Sequence, residues 1–202
     1  MRSKNSRPHL SPPLRGEETN QRMVLSKSIL SSYKNILSPM DVMNEKVLEK
    51  LKTKYGDAVL EANEFRGELT IIVPKERIVE VCRFMKEDEE LAFDLLADLC
   101  GIDMYTPENR FGVIYNLYSL KTKHRIRLKT FTEEEHPRVP TVTGVWGTAN
   151  WHERETYDMF GIIFDGHPDL RRIYMPDEFE YYPLRKDFPL MGIPGSLDLP
   201  KK

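Results

Sequence analysis

After Gly161 the chain carries prolines at positions 168, 176, 183, 189, 194 and 200, and these limit what the last fifth of the molecule can become. A proline fixes φ and has no backbone N–H, so it breaks helix interiors and is excluded from central strands. Residues 162–202 therefore read as an extended, irregular arm. An arm this long is unusual on an isolated domain. Ordering on a partner resolves the difficulty. The regular fold is confined to what lies before the arm.

From Ser38 and Pro39, a sound helix start, Met40, Met43, Val47, Leu48, Leu51 and Tyr55 follow at helical spacing as far as Gly56. Residues 57–63 and 67–73 read as two strands joined near Asn63 to Gly67. Pro74 opens a helix with Ile78, Val81, Cys82 and Met85 on one face, and the spacing of Phe93, Leu95, Leu96 and Leu99 predicts another over Glu89 to Leu99. The acidic run Glu87 to Glu90 suits the positive end of that second helix. Alternation at Phe111, Val113, Tyr115 and Leu117, and again at Ile126, Leu128 and Thr130, predicts an antiparallel hairpin around Thr122. Asn150 reads as the cap of a last helix, with Glu153 as capping-box partner and Gly161 as its left-handed close. This order predicts an α+β domain over 39–161, a mainly antiparallel sheet with helices on one face, followed by the extended irregular C-terminal arm.

Charge and composition exclude several functions. Net charge is −2, yet residues 1–40 hold a net of plus five, leaving minus seven for the rest. Arg2, Lys4, Arg7 and Arg15 faintly suggest an organelle-targeting peptide, but Pro8, Pro12 and Pro13 interrupt the helix it needs, so 1–38 reads as a disordered basic tail. No run approaches the roughly 18 apolar residues of a membrane helix, so membrane contact is expected only through partners. Cys82 and Cys100, each in an apolar pattern read as helical, are expected to be free thiols. Two cysteines cannot hold a cluster or structural zinc unaided. His152-Glu153 lacks a second histidine at position 156, Glu133-x-x-His136 occurs once, and neither glycine-rich phosphate loops nor nucleophile motifs occur. The basic stretch Lys121, Lys123, His124, Arg125, Arg127 and Lys129 offers no aromatic stacking residues on its own face. Nucleic acid is not an expected partner.

The chemistry of the chain concentrates between Trp151 and Pro189, where aromatics, prolines and opposite charges mix as they do at protein interfaces. Arg154 and Asp158 are four apart and can pair along the helix, while Trp151, Glu155, Asp158 and Met159 share a side. Glu153 and Glu155 point apart, a poor arrangement for acid and base work on one substrate. His167 has two readings, a titrating contact near a substrate or a turn histidine whose ring nitrogens bond backbone groups; the second is preferred. Arg171, Arg172 and Arg185 suit bidentate ion pairs across an interface.

The run Glu153-Arg154-Glu155, Asp158-Met159-Phe160, His167, Arg171 and Ile173, followed by Pro183-Leu184-Arg185-Lys186-Asp187-Phe188-Pro189, resembles the two signature blocks of the 30 kDa (C-type) subunit family of respiratory complex I. Phe179 and Tyr181 stand where that family often has Trp and Gly. The resemblance implies a subunit without catalytic residues or cofactors of its own, in the peripheral arm of the proton-translocating NADH-quinone oxidoreductase. FMN, iron-sulfur clusters and quinone would belong to partner subunits. It implies docking against the quinone-site D-type (49 kDa) subunit, near B- and I-type subunits, through Trp151, Glu153, Arg154, Glu155, Asp158, Phe160, His167, Arg171, Arg172, Pro183, Arg185, Lys186 and Phe188. The implied location is the cytoplasmic face of a bacterial inner membrane, or alternatively the matrix side of the mitochondrial one. The end at Lys202 reads as the form not fused to that partner. The equivalent subunit of a membrane-bound hydrogenase or of a ferredoxin- or F420-linked oxidoreductase, and a free-standing adaptor, are the alternatives.

Overall fold

A computed structural model describes residues 39–193 other than Pro107, so the basic tail 1–38 and residues 194–202 lie outside the described residues. Helix α1 (Pro39–Tyr55) is followed by strands β1 (Glu61–Phe65) and β2 (Glu68–Ile72), helix α2 (Ile78–Glu87), and strands β3 (Leu95–Asp103), β4 (Phe111–Tyr118), β5 (Arg125–Thr132) and β6 (Arg138–Pro140). Helix α3 (Ala149–Phe160) and strand β7 (Ile163–Asp165) complete the order. The main sheet runs β1-β2-β5-β4-β3, with only the β2–β5 pair parallel. The architecture is α+β with a mainly antiparallel sheet.

One face of the sheet makes the core. Leu69 and Ile71 of β2, Leu99 of β3, Val113, Tyr115 and Leu117 of β4, and Ile126 and Leu128 of β5 pack with Val47 and Leu51 of α1 and with Ile78, Val81 and Met85 of α2. Met159 and Phe160 of α3 join the same cluster. The period of two places Thr70, Ile72, Ile114, Asn116, Arg127 and Lys129 on the opposite face, where they stay half-exposed. That face also carries Tyr118 of β4 and Phe131 of β5, so the expectation that the basic strand offers no aromatic on its own face is corrected; Arg125 lies over the Tyr118 ring at 5.3 Å. His124 instead turns inward and pairs with Asn44 at 2.8 Å.

The expected helix over Glu89 to Leu99 is a turn followed by strand β3. Asp88 accepts hydrogen bonds from the amides of Glu90 and Leu91, Ala92 takes a positive φ of 45°, and Phe93 N–H returns to the Met85 carbonyl. The apparent helical spacing has a strand origin. A register shift between Leu96 and Asp98 adds one residue, so Leu96 and Leu99 both face inward although they are three apart. Cys100 consequently sits half-buried in a strand, and Cys82 is wholly buried. The β1–β2 turn also falls later than expected, at Arg66 and Gly67, both with positive φ as a two-residue hairpin requires. Strand β7, inside the stretch read as irregular, pairs in parallel with β6.

Candidate interaction site on helix α3 and the arm

Helix α3 begins at Ala149, and no side chain caps it. Glu153 is not a capping-box partner. Its carboxylate is wholly buried and accepts hydrogen bonds from Val142 N–H at 2.8 Å and the Thr141 hydroxyl at 2.5 Å, tying the helix to the loop after β6. Burial pushes its pKa up to about 7 because no cation offsets the charge; the two hydrogen bonds only partly oppose this. At the other end Gly161 closes the helix at φ 75°. A Cβ there would lie 2.6 Å from Arg185 Nη2 and the Tyr182 ring, so conformation and space both require glycine.

Arg154 does not pair with Asp158, because the arm takes both. Arg154 donates to the carbonyls of Arg171 and Arg172 at 3.1 and 3.4 Å, and lies 4.7 Å over the Trp151 ring. Asp158, wholly buried, accepts the amides of Ile173, Tyr174 and Met175 at 3.0, 2.6 and 3.0 Å on one oxygen and the Arg172 guanidinium at 3.2 Å on the other. Three successive amides converging on one carboxylate fix a chain that has no ladder of its own.

A second fastening lies ten residues on. Arg185 donates to the Phe160 carbonyl at 2.6 Å, satisfying an orphan acceptor at the end of α3, while stacking on Tyr182 and Phe111 at 4.3 and 4.7 Å. Its burial lowers its pKa from the usual arginine value. Asp103, at the end of β3, accepts two bonds from Arg110 and the Lys186 amide at 2.8 Å. Burial alone would raise the Asp103 pKa, but these donors and the Tyr105 amide outweigh it and hold the carboxyl below its ordinary value. Arg110 also reaches Asp187 at 2.8 Å and pairs with Glu134, and its pKa is raised, chiefly by Asp103. Asp103 and Arg110 were not among the expected site residues. The signal was a charge ending the apolar run Leu99 to Ile102, with an arginine just before the next strand.

The site residues thus divide. Arg154, Asp158, Phe160, Arg172 and Arg185 turn inward and bind the arm to the domain of the same chain, while Glu153 turns inward to the loop after β6. Pro183 and Phe188 are half-buried, Phe188 against Phe179 at 6.4 Å. Trp151, Glu155, Arg171 and Lys186 face out, so Trp151 and Glu155 do not share a side with Asp158 and Met159. Arg171 pairs with Asp169, at 3.0 Å. His167 is the turn histidine: Nδ1 accepts the Asp169 amide at 3.0 Å and Nε2 faces the Asn150 carbonyl at 3.2 Å. Around this scaffold Trp151, Tyr174, Tyr181, Leu184, Leu190 and Met191 expose large apolar surface, Trp151 at 62% and Tyr174 at 61%. The arrangement is a helix and an interlocked arm bordered by an exposed apolar rim.

The chain belongs to the family described as respiratory-chain NADH dehydrogenase, 30 Kd subunit, which it matches over residues 71–194. It is 52% identical over 151 residues to the C-type subunit of NADH-quinone oxidoreductase from Roseiflexus sp. (strain RS-1), covering 75% of this chain and 87% of that one. To the second C-type subunit of the same enzyme from Rhizobium meliloti (strain 1021) it is 56% identical over 144 residues, 71% of this chain and 79% of the relative. Among solved structures it is similar to a trypsin-resistant fragment (1-134) of Nqo5, with TM-score 0.53 and 40% identity over 62% of this chain and 98% of that one. It is also similar to a chain of the membrane-bound sulfane sulfur reductase, an archaeal respiratory membrane complex, with TM-score 0.63 and 26% identity, covering 74% and 87%.

Proposed function

We propose that this chain is the C-type subunit of a proton-translocating NADH-quinone oxidoreductase and acts in its peripheral arm as a docking element, not as a site of chemistry. One observation carries the reading: Arg154 and Asp158 of α3 are consumed in holding the arm, while the apolar rim from Trp151 to Met191 faces out. Large aromatics of this kind dominate interface energies. The rim meets the quinone-site D-type subunit, with the B- and I-type subunits nearby, and Glu155, Arg171 and Lys186 supply polar contacts at its edge. FMN, iron-sulfur clusters and quinone sit in partner subunits of the complex. The chain supports electron transfer from NADH to quinone by keeping the quinone-site subunit in place. Among the described residues no helix is long and apolar enough to cross a membrane, so attachment is through partners.

The likeness to the sulfane sulfur reductase chain supports a second reading, the equivalent subunit of a related respiratory machine. Identity of 52% against 26% favours the first. Purification of the tagged chain from its native membranes in mild detergent separates them. Co-purification of NADH-dependent quinone reduction with the D-type subunit is expected. Recovery of hydrogenase or sulfur-reducing subunits selects the second reading, and recovery of the chain alone contradicts both.

A further inference from the structure

Beneath the start of the arm lies a buried pair of titratable groups that docking does not use. The side chains of Glu153 and His167 are both wholly buried, with Oε2 and Nε2 4.0 Å apart. The hydrogen bonds around them decide where a proton can reside. His167 Nδ1 already accepts the Asp169 amide, which leaves Nε2 to donate to the Asn150 carbonyl. A second ring proton would have to displace the Asp169 amide and undo the turn. Glu153 has an easier route: Thr141, which donates to it, also contacts the Thr143 hydroxyl at 2.9 Å, so the Thr141 hydroxyl can turn to donate to Thr143 and accept a hydrogen bond from the protonated acid.

The other groups facing the carboxylate supply no counter-charge. Cys82 of α2 is buried and its thiol pKa is pushed far up, first by burial and then by Glu153 itself. Tyr115 of β4 is likewise buried, and its hydroxyl is raised by burial, Cys82 and Glu153. Arg154, the adjacent cation on α3, is directed to the Arg171 and Arg172 carbonyls. An ionised Glu153 is therefore a buried charge with two donors and no cation, an arrangement that costs several kcal/mol in general.

We propose that Glu153 and His167 form a buried proton-binding site that latches the start of the arm: with the proton on Glu153 the latch is closed, and proton loss favours opening of the segment from β6 to Asp169. The segment is suited to this role. Glu153 holds Thr141 and Val142 after β6, His167 holds Asp169 after β7, and the two strands pair through a short, three-residue parallel ladder with the exposed Arg138–Asp165 ion pair at its edge. The site does not depend on which partner the arm meets.

Two measurements on the full chain test it. The carboxyl carbon of Glu153, followed by NMR, is expected to titrate near neutrality and not near the ordinary glutamate value of about 4.3. Amide exchange at Ile163 and Asp169, corrected for intrinsic base catalysis, is expected to speed up roughly ten- to thirtyfold between pH 5.5 and 8. Glu153→Gln, a permanent stand-in for the protonated acid, should abolish that pH dependence. His167→Asn should admit water and bring the carboxyl midpoint down. A midpoint in the ordinary range in the unaltered protein overturns the proposal. So does the same exchange profile in Glu153→Gln, because the proton would then not control the segment.

Discussion

The sheet domain and the arm are held by opposite means. Between β2 and β5 the chain is fixed by apolar area spread over many side chains from three helices and four strands. From Leu170 to Phe188 little regular structure exists, and attachment rests on a few charged groups, chiefly Asp158, Arg154, Arg185 and Asp103. A distributed core yields gradually to mutation. A point-fastened arm yields at single residues, and its effects need not spread to the core.

The largest expected effect is at Asp158. Replacement by Ala orphans three buried amides and the Arg172 guanidinium, a loss of about 3–5 kcal/mol in arm attachment. Limited proteolysis should cut between Arg171 and Arg185 while the β4–β5 amides remain protected; loss of core protection in parallel would erase the distinction between the regions. In the core, Leu128→Ala should cost about 2–4 kcal/mol and lower the whole unfolding transition, arm and sheet together.

The two buried carboxylates beside the arm should respond to pH with opposite signs. Glu153 has a raised pKa, so its contribution is complete below about 4.5 and is lost as pH rises through about 7. Glu153→Gln should therefore stabilise the protein at pH 8, by on the order of 1–3 kcal/mol in denaturant unfolding, with little effect at pH 4.5. Asp103 has a lowered pKa, so its contribution is present above about 3.8 and is lost as pH falls further. The arm should hold best between these limits. The smallest effect on stability is expected at exposed Trp151, where Ala should change unfolding by only about 0.5 kcal/mol yet reduce recovery of assembled complex.

The sequence made the sheet readable wherever strict alternation survived, as in β4 and β5, because one face is core and the other open. It misled at β3, where the register shift between Leu96 and Asp98 turned a period of two into a spacing of three. Glycine at 161 and the outward arginine at 171 were legible from local pattern. The partners of Glu153, Arg154 and Asp158 were not, because each lies 11 to 18 residues away along a chain without period. The pairing expected from helical spacing, Arg154 with Asp158, lost to backbone groups of the arm that have no other way to be satisfied. The inward groups of the family signature therefore bind the chain to itself, and the outward ones stay exposed.

The most direct test of the docking account is a paired measurement in membranes carrying Trp151→Ala with Tyr174→Ala: the amount of assembled complex, and quinone reduction per assembled complex. The account predicts less complex, with unchanged turnover in what remains. Full assembly with turnover abolished would contradict it.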